Sequence, residues 1–138
     1  MSNAVNAFGT VISKDGTDIA EVTSIGGPKL ARDTIEVTHH QSTDMWREFI
    51  KGLKDGGEVS LELNFMPFDT SHNAATTGIL ADFGDDTTVA AWVLTFPDSG
   101  ATQWEFDGIV TAFETSEPFD DKLMASVTIK VTGVPTLA

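Results

Sequence analysis

The chain has 138 residues, 41% of them hydrophobic, and a formal net charge of −13 at pH 7. This length supplies one apolar core, so residues 1–138 are expected to form a single domain. The lack of Cys excludes disulfide bonds and thiolate metal sites, and no run approaches the roughly 20 apolar residues of a membrane span.

The chain begins with short strand patterns. Residues 1–7 lack the basic and apolar regions of a signal peptide; they are small and polar, which predicts a flexible N-terminal arm. Strands are expected over residues 9–13 and 18–23, joined by a hairpin turn at Asp15-Gly16. A third strand, over residues 34–39, follows a Gly-Gly-Pro turn.

An apolar insert follows this third strand. Its large apolar side chains are spaced at one, four, five and eight residues: Met45, Trp46, Phe49, Ile50 and Leu53. This spacing predicts two turns of amphipathic helix, capped by Thr43 or Asp44 and ending at Gly52. Because so short a helix is marginal by itself, the patch needs a surface to pack against. Trp46 beside Arg47 is typical of an interface centre, although a place in the core stays an alternative.

The second half of the chain is richer in strand patterns. Residues 58–65 alternate strictly between polar and apolar. The pattern recurs over residues 122–132, where the apolar residues are Leu123, Ala125, Val127, Ile129 and Val131 and the polar ones are Lys122, Ser126, Thr128, Lys130 and Thr132. Residues 88–96 read as a more fully buried strand that contains Trp92, and residues 103–114 as a strand that contains Trp104; both Trp side chains are expected in the core. The phase of residues 103–114 changes near Asp107-Gly108, where Ile109 and Phe113 take over the inward parity, which suggests a bulge.

The pattern therefore predicts a mainly β protein: a β-sandwich or barrel of about seven strands with one flanking α-helix. The helix is expected over residues 71–83, where Ala75, Ile79, Leu80 and Phe83 share one face and Gly84 ends the helix.

The sequence contains no catalytic motif. His39 and His40 are adjacent and point to opposite faces of a strand, and His72 stands apart, so all three are interpreted as ordinary surface or loop residues rather than metal ligands. Glu105 and Asp107 share one strand face, which a solvated acidic surface explains. Without a nucleophile motif, a phosphate loop or a metal site, no enzyme activity and no cofactor are expected.

The order of several short segments resembles the lambda-type phage major tail tube proteins over about residues 9–135. The matching segments are Gly9-Thr10, Thr23-Ser24-Ile25-Gly26-Gly27-Pro28, Asp33-Thr34-Ile35-Glu36-Val37-Thr38, the insert over 46–57, Phe96-Pro97-Asp98, Trp104-Glu105-Phe106 and the closing strand over 126–133. One departure is that the lambda protein resembles residues 1–138 only in its first domain and adds an immunoglobulin-like domain, whose role the resemblance does not carry over.

The resemblance implies a structural protein of the virion tail, assembled in the host cytoplasm. In that family six copies form a ring, rings stack into a tube, and DNA passes through the lumen. A long loop that reaches the next ring corresponds to about residues 40–56 here, so the ring-stacking residues are expected to be Trp46, Arg47, Phe49, Ile50 and Leu53. The implied partners are further copies of the chain and tape measure, tail terminator and baseplate proteins, with no membrane.

The distribution of acidic residues indicates how the protein would interact with DNA. Between Lys54 and Lys122 there is no Lys or Arg, whereas fourteen acidic residues fall there. Such a surface repels phosphate, so specific nucleic-acid binding is not expected. Glu58 and Glu62 alternate with core residues and are predicted to line the lumen; a solubilising outer face is the alternative. The alternative function is a β-sandwich module, virion-borne or secreted, that binds carbohydrate or protein.

Overall fold

A computed structural model describes residues 2–138. The nine strands are β1 (Val11–Lys14), β2 (Thr17–Asp18), β3 (Val22–Gly26), β4 (Ala31–Glu36), β5 (Phe49–Asp55), β6 (Glu58–Asn64), β7 (Ala90–Thr95), β8 (Gln103–Ser116) and β9 (Met124–Leu137). One short helix, α1 (Ile79–Phe83), lies between β6 and β7, and a 3-10 turn spans Thr43–Met45. The protein is mainly β with one flanking helix, as the sequence predicts.

Seven strands form one antiparallel sheet in the order β2-β1-β7-β8-β9-β6-β3, and β4 pairs with β5 in a separate two-stranded hairpin. The sheet is strongly curled. Its two edge strands, β2 and β3, are joined by only three residues, 19–21, which span at most about 14 Å. In a flat sheet of this order the same strands would lie about 29 Å apart. The short connection therefore draws the two edges together around the core.

The core fills the inside of this curl. The buried apolar residues come from alternate positions of the strands, as in β6, where Val59, Leu61 and Leu63 are buried and the residues between them are exposed. Trp92 is completely buried, as predicted, whereas Trp104 is partly buried and packs against the core. On β9 the alternation holds from Ala125 to Val131.

The closing connection between β2 and β3 is held by buried polar side chains. The backbone N–H of Ala20 donates to Ser71 Oγ at 3.2 Å, and its carbonyl lies 2.6 Å from His72 Nε2. His72 Nδ1 accepts the N–H of Met66 at 3.1 Å, so the ring proton lies on Nε2 and donates to Ala20. His72 lies in a turn, which agrees with its interpretation as a loop residue, but it is fully buried and so is not a surface residue.

The predicted helix is much shorter in the structure. It covers Ile79–Phe83 instead of residues 71–83, because the preceding residues form turns that bury Ser71 and His72 against the closing connection. Gly78 precedes the helix with an extended backbone. The helix is fixed to the sheet by Asp82, whose buried carboxylate accepts the Val110 N–H at 3.0 Å.

The long β8–β9 hairpin contains two irregularities. Its pairing shifts between Glu105 and Asp107, close to the bulge that the sequence predicts, and again between Val110 and Ala112. The inward parity changes only at the second shift: Val110 is still buried, Ile109 is 45% exposed, and Phe113 packs against the core. The predicted inward position of Ile109 is therefore wrong.

Candidate assembly site

The hairpin β4–β5 protrudes from the body of the protein. We call residues 29–55 the arm. Every residue of β4 is exposed, and so is every residue of β5 except Gly52. The insert is thus a strand and a turn rather than the predicted amphipathic helix. The reason is its partner: Ile50 pairs with Ile35 and Phe49 with Glu36 across the hairpin, and the ladder satisfies backbone groups that an isolated short helix would leave open.

The arm has two chemically different faces. Residues that pair directly across an antiparallel ladder lie on the same face, so the Arg32–Lys54 and Thr34–Lys51 pairs form a basic face. The opposite face carries the Ile35–Ile50 pair, and both of these isoleucines are about half exposed. An arm with one basic and one apolar face suits a contact with another macromolecule better than a free existence in water.

The tip of the arm, residues 37–48, is ordered by hydrogen bonds. The Val37 N–H donates to the Glu48 carbonyl at 2.8 Å, and the Glu48 N–H donates to Thr38 Oγ1 at 2.9 Å. The Ser42 hydroxyl donates to the Glu48 carboxylate at 2.6 Å and accepts the His39 N–H at 3.0 Å. These bonds shape the tip before any partner arrives, which lowers the entropy cost of binding.

A strained turn presents the largest side chains of the tip. Asp44 and Met45 both have positive φ, 52° and 62°, a region that residues other than Gly seldom adopt. Met45, within this turn, is 96% exposed, and Trp46, directly after it, is 74% exposed. Strain of this kind persists at sites where it serves a function, and here it directs two large apolar side chains into solvent.

Two glycines fix the base of the arm. Gly57 has φ +71°, and a Cβ there would overlap the Lys29 carbonyl; Gly27 has φ +107°, and a Cβ there would come within 2.5 Å of the Glu58 carbonyl. The two segments that enter and leave the arm can therefore cross only because both positions lack a side chain. Beside them, Lys130 Nζ lies 2.9 Å from an Asp55 carboxylate oxygen, and the same Oδ1 accepts the Gly57 N–H. Both contacts lower the pKa of Asp55, and the backbone hydrogen bond from Gly57 is the largest single cause.

The structure places the five predicted ring-stacking residues on one arm. Trp46 and Arg47 follow the turn at the tip, whereas Phe49, Ile50 and Leu53 belong to β5. The apolar members are all exposed: Phe49 and Ile50 by 52% each and Leu53 by 84%. Their adjacency in sequence does not make one patch, because Ile50 projects from the apolar face and Phe49, paired with Glu36, from the basic face.

The two predicted lumen residues lie elsewhere. Glu58 and Glu62 are exposed on β6 and project from the side of the sheet opposite the core. Glu58 is the cross-strand neighbour of Lys130, and Glu62 of Ser126.

The basic face of the arm was not predicted from the sequence. Residues 29–54 contain five of the eight Lys and Arg residues but only four of the 21 Asp and Glu residues, and Asp55 at the end of the arm adds a fifth. Counting charges by segment could have found this asymmetry, whereas the pairing that puts Arg32 beside Lys54 could not be read without the register.

Among residues 2–138, no group of three or more His, Asp or Glu side chains is placed to hold a metal ion. None of their helices is long and apolar enough to cross a membrane.

An apolar cleft of about 1120 Å³ opens between β3 and the ends of β7, β8 and β9, and residues 5–10 of the chain form one of its walls.

The fold of the described residues is shared by chains of several solved tail and tube particles. A chain of the native gene transfer agent virion superposes with a TM-score of 0.78 at 19% identity, over 98% of this chain and 99% of that one. A chain of the tail of an empty gene transfer agent particle, refined with C6 helical symmetry, gives 0.76 at 18% identity, over 98% and 99%. A chain of the sheath–tube complex of an extracellular contractile injection system gives 0.75 at 13% identity, over 99% and 93%.

At sequence identities this low, the structural similarity shows the fold alone. The family is shown by the sequence itself, because residues 2–138 match the model of the lambda phage tail tube protein. The chain belongs to the lambda phage tail tube protein family, and it is a structural component of the virion tail. No curated protein sequence is significantly similar to it.

Proposed function

We propose that six copies of this chain form a ring, that rings stack into a tube, and that the arm of each copy contacts the next ring. The observation that carries the proposal is the arm: an ordered hairpin, exposed along its length, with Met45, Trp46 and Leu53 almost fully in solvent. A monomer gains nothing from such a surface, whereas burial on association stabilises it.

Ring closure is supported by the edges of the sheet. β3 and β2 are the two end strands, and an edge strand offers unpaired N–H and C=O groups to a neighbour. A head-to-tail contact between different edges of identical copies closes into a ring when the rotation permits. The gene transfer agent tail that shares this fold was refined with C6 symmetry, which supports six copies.

The lumen is the proposed passage for DNA. In this arrangement Glu58 and Glu62 on β6 line the tube, and rings of negative charge let phosphate slide past without binding. The chain then acts as a building block without catalysis, and the tape measure, tail terminator and baseplate proteins are its expected partners. The region over 40–56, which includes the tip and β5, is the proposed assembly segment.

Negative-stain electron microscopy of the purified protein tests the proposal. We expect rings or tubes about 100 Å across, the size of six small domains around a pore. Persistent monomers at high protein concentration would contradict the proposal and favour a monomeric binding module.

A further inference from the structure

A second exposed apolar surface lies at the end of β6 that is distant from the arm. Phe68 is 81% exposed, and Phe119 is completely exposed. The two loops that carry them meet at this end of the sheet: Asn64 pairs with Met124, and the Phe65 N–H donates to the Leu123 carbonyl at 3.0 Å. We call the loops 65–70 and 116–123 the aromatic end.

The aromatic end is acidic. It carries four carboxylates and one cation, and these are Asp69, Glu117, Asp120, Asp121 and Lys122. Asp69 is engaged within its own turn, where its carboxylate accepts the Ser71 hydroxyl at 2.6 Å. Asp120 and Asp121 are exposed beside Phe119. The arm is neutral as a whole, with five cations and five carboxylates, but Arg32, Lys51 and Lys54 lie together on its basic face. The basic face of the arm and the acidic aromatic end are therefore complementary in charge.

The positions of the two surfaces exclude a contact within one copy in the observed conformation. The arm leaves the sheet next to Glu58, the first residue of β6, whereas the aromatic end follows Asn64, the last. Seven residues of strand separate them by roughly 20 Å, and the exposure of β4 and β5 shows that the arm is not folded back over the sheet. Stacking of identical copies requires two different, complementary surfaces on each copy, and these surfaces meet that requirement.

We propose that the aromatic end is the acceptor for the arm of a copy in the adjacent ring. Trp46 and Leu53 pack against Phe68 and Phe119, while Arg47, Lys51 and Lys54 face Asp120 and Asp121. This assignment rests on the proposed function and names the contact that joins one ring to the next. The apolar cleft beside β3 is a weaker acceptor, because residues 5–10 of the same chain already form its wall.

Two variants with complementary defects test the contact. The arm variant is Trp46→Asp with Leu53→Asp, and the end variant is Phe68→Asp with Phe119→Asp. Each retains one intact surface, so neither should stack by itself, and the concentration needed for tube growth should rise at least tenfold, equivalent to a loss of about 1.4 kcal/mol. Mixed in equal amounts, they should associate in pairs and stop at two layers, as measured by light scattering and negative stain. An end variant that elongates like the wild type would overturn the proposal.

A charge exchange provides the second test and avoids apolar substitutions. Arg47→Glu with Lys51→Glu should block stacking, as should Asp120→Lys with Asp121→Lys, and all four changes in one chain should restore it. Asp86→Lys, an exposed acidic site outside the aromatic end, is the matched control and should stack normally. Failure of the fourfold variant to recover, while its melting temperature matches the wild type, would count against the assignment.

The outcomes separate the inference from the proposed function. If the wild type makes tubes and the end variant makes them equally well, only the acceptor is wrong. If the wild type makes no rings, the proposed function fails, and the mixed variants are then compared by sedimentation. Association of the mixture but of neither variant separately supports the arm-to-end contact, and no association overturns it.

Discussion

At the base of the arm, Gly57 has a backbone conformation and a neighbour that together exclude a larger side chain. Its φ is +71°, and a Cβ would overlap the Lys29 carbonyl. Gly133 has a similar φ of +76° but open space around the missing Cβ. Comparing an Ala substitution at each glycine therefore separates the free-energy cost of the positive φ from the cost of the steric clash.

We predict that Gly57→Ala destabilises the protein by about 2–4 kcal/mol and loosens the arm, since the crossing segments must move apart. Gly133→Ala should cost only about 1 kcal/mol, the penalty of the left-handed conformation. Chemical denaturation gives both values, and limited proteolysis of the arm reports the loosening. Equal losses for the two variants would show that the Lys29 carbonyl does not restrict this position.

His72 holds the connection that closes the sheet. Replacing it by Ala would leave the Met66 N–H and the Ala20 carbonyl without their partner and would open a cavity. We predict a loss of about 2–5 kcal/mol for His72→Ala, measured by urea unfolding. The exposed His40 is the control, and His40→Ala should change stability by less than about 0.5 kcal/mol. If His72→Ala left the free energy of unfolding unchanged, His72 would not hold the closing connection.

Asp98 makes stability depend on pH. The Thr102 hydroxyl and N–H donate to its carboxylate at 2.6 Å and 2.8 Å, and they lower its pKa below the ordinary 3.8. The folded state thus binds this proton less readily than the unfolded state, so the stabilisation is present above about pH 4 and is lost as pH falls through the lowered pKa.

We predict that Asp98→Asn lowers the urea midpoint at pH 7 and lowers it less at pH 3, where the wild type has begun to lose the same stabilisation. The difference between the two midpoints at each pH is the quantity to compare, because Asp55, Asp69 and Asp85 also have lowered pKa values. An equal difference at both pH values would mean that the carboxylate charge of Asp98 has no part in folding.

Among the elements, the arm is the one whose side chains contribute least to the stability of the single chain. Ile50 is about half exposed, and Trp46 is 74% exposed, so substitutions there remove little buried surface. We predict that Trp46→Ala with Ile50→Asp blocks polymerisation while the melting temperature of the monomer changes by less than about 2 °C. Electron microscopy and thermal unfolding give the two readouts.

Two controls sharpen this prediction. Ile109→Asp alters a residue of similar exposure, 45%, on β8 outside the arm, and polymerisation should persist. Leu61→Asp places a charge at a position that is 1% exposed, and it should unfold the chain. A large fall in the melting temperature of the arm variant would place Trp46 and Ile50 in a structural role instead.

For the assembled tube, the charge on β6 is the property to test. Glu58→Lys with Glu62→Lys changes the net charge by four units per copy and puts positive side chains where DNA is proposed to pass. Assembly should continue, because neither side chain lies on the arm, but phosphate binding in the lumen should slow or stop genome ejection. Ejection kinetics and plaque formation measure the effect. A phage that carries both changes and ejects normally would place these residues on the outside of the tube.

Much of the sheet could be predicted from local sequence. The alternation in residues 58–65 corresponds to β6, where the buried Val59, Leu61 and Leu63 follow the period of a strand, and Asp15-Gly16 is the turn between β1 and β2. Such features are local: a side-chain period of two and a turn residue are both contained within a few positions. The family resemblance rests on short local segments as well.

Tertiary structure decided what depends on a distant partner. The spacing of residues 45–53 is compatible with a helix, but pairing with β4, whose Ile35 lies fifteen positions before Ile50, makes the second part of it a strand. His72 is buried because the closing connection needs donors and acceptors, which no pattern around His72 reveals. Phe68 and Phe119 lie at one end only because the β6–β9 register brings Asn64 beside Met124. Elements with a periodic, local signal can thus be predicted from the sequence. The arm, the closing connection between β2 and β3, and the aromatic end depend on pairing between distant segments, because the contacts that stabilise them join parts of the chain that are far apart.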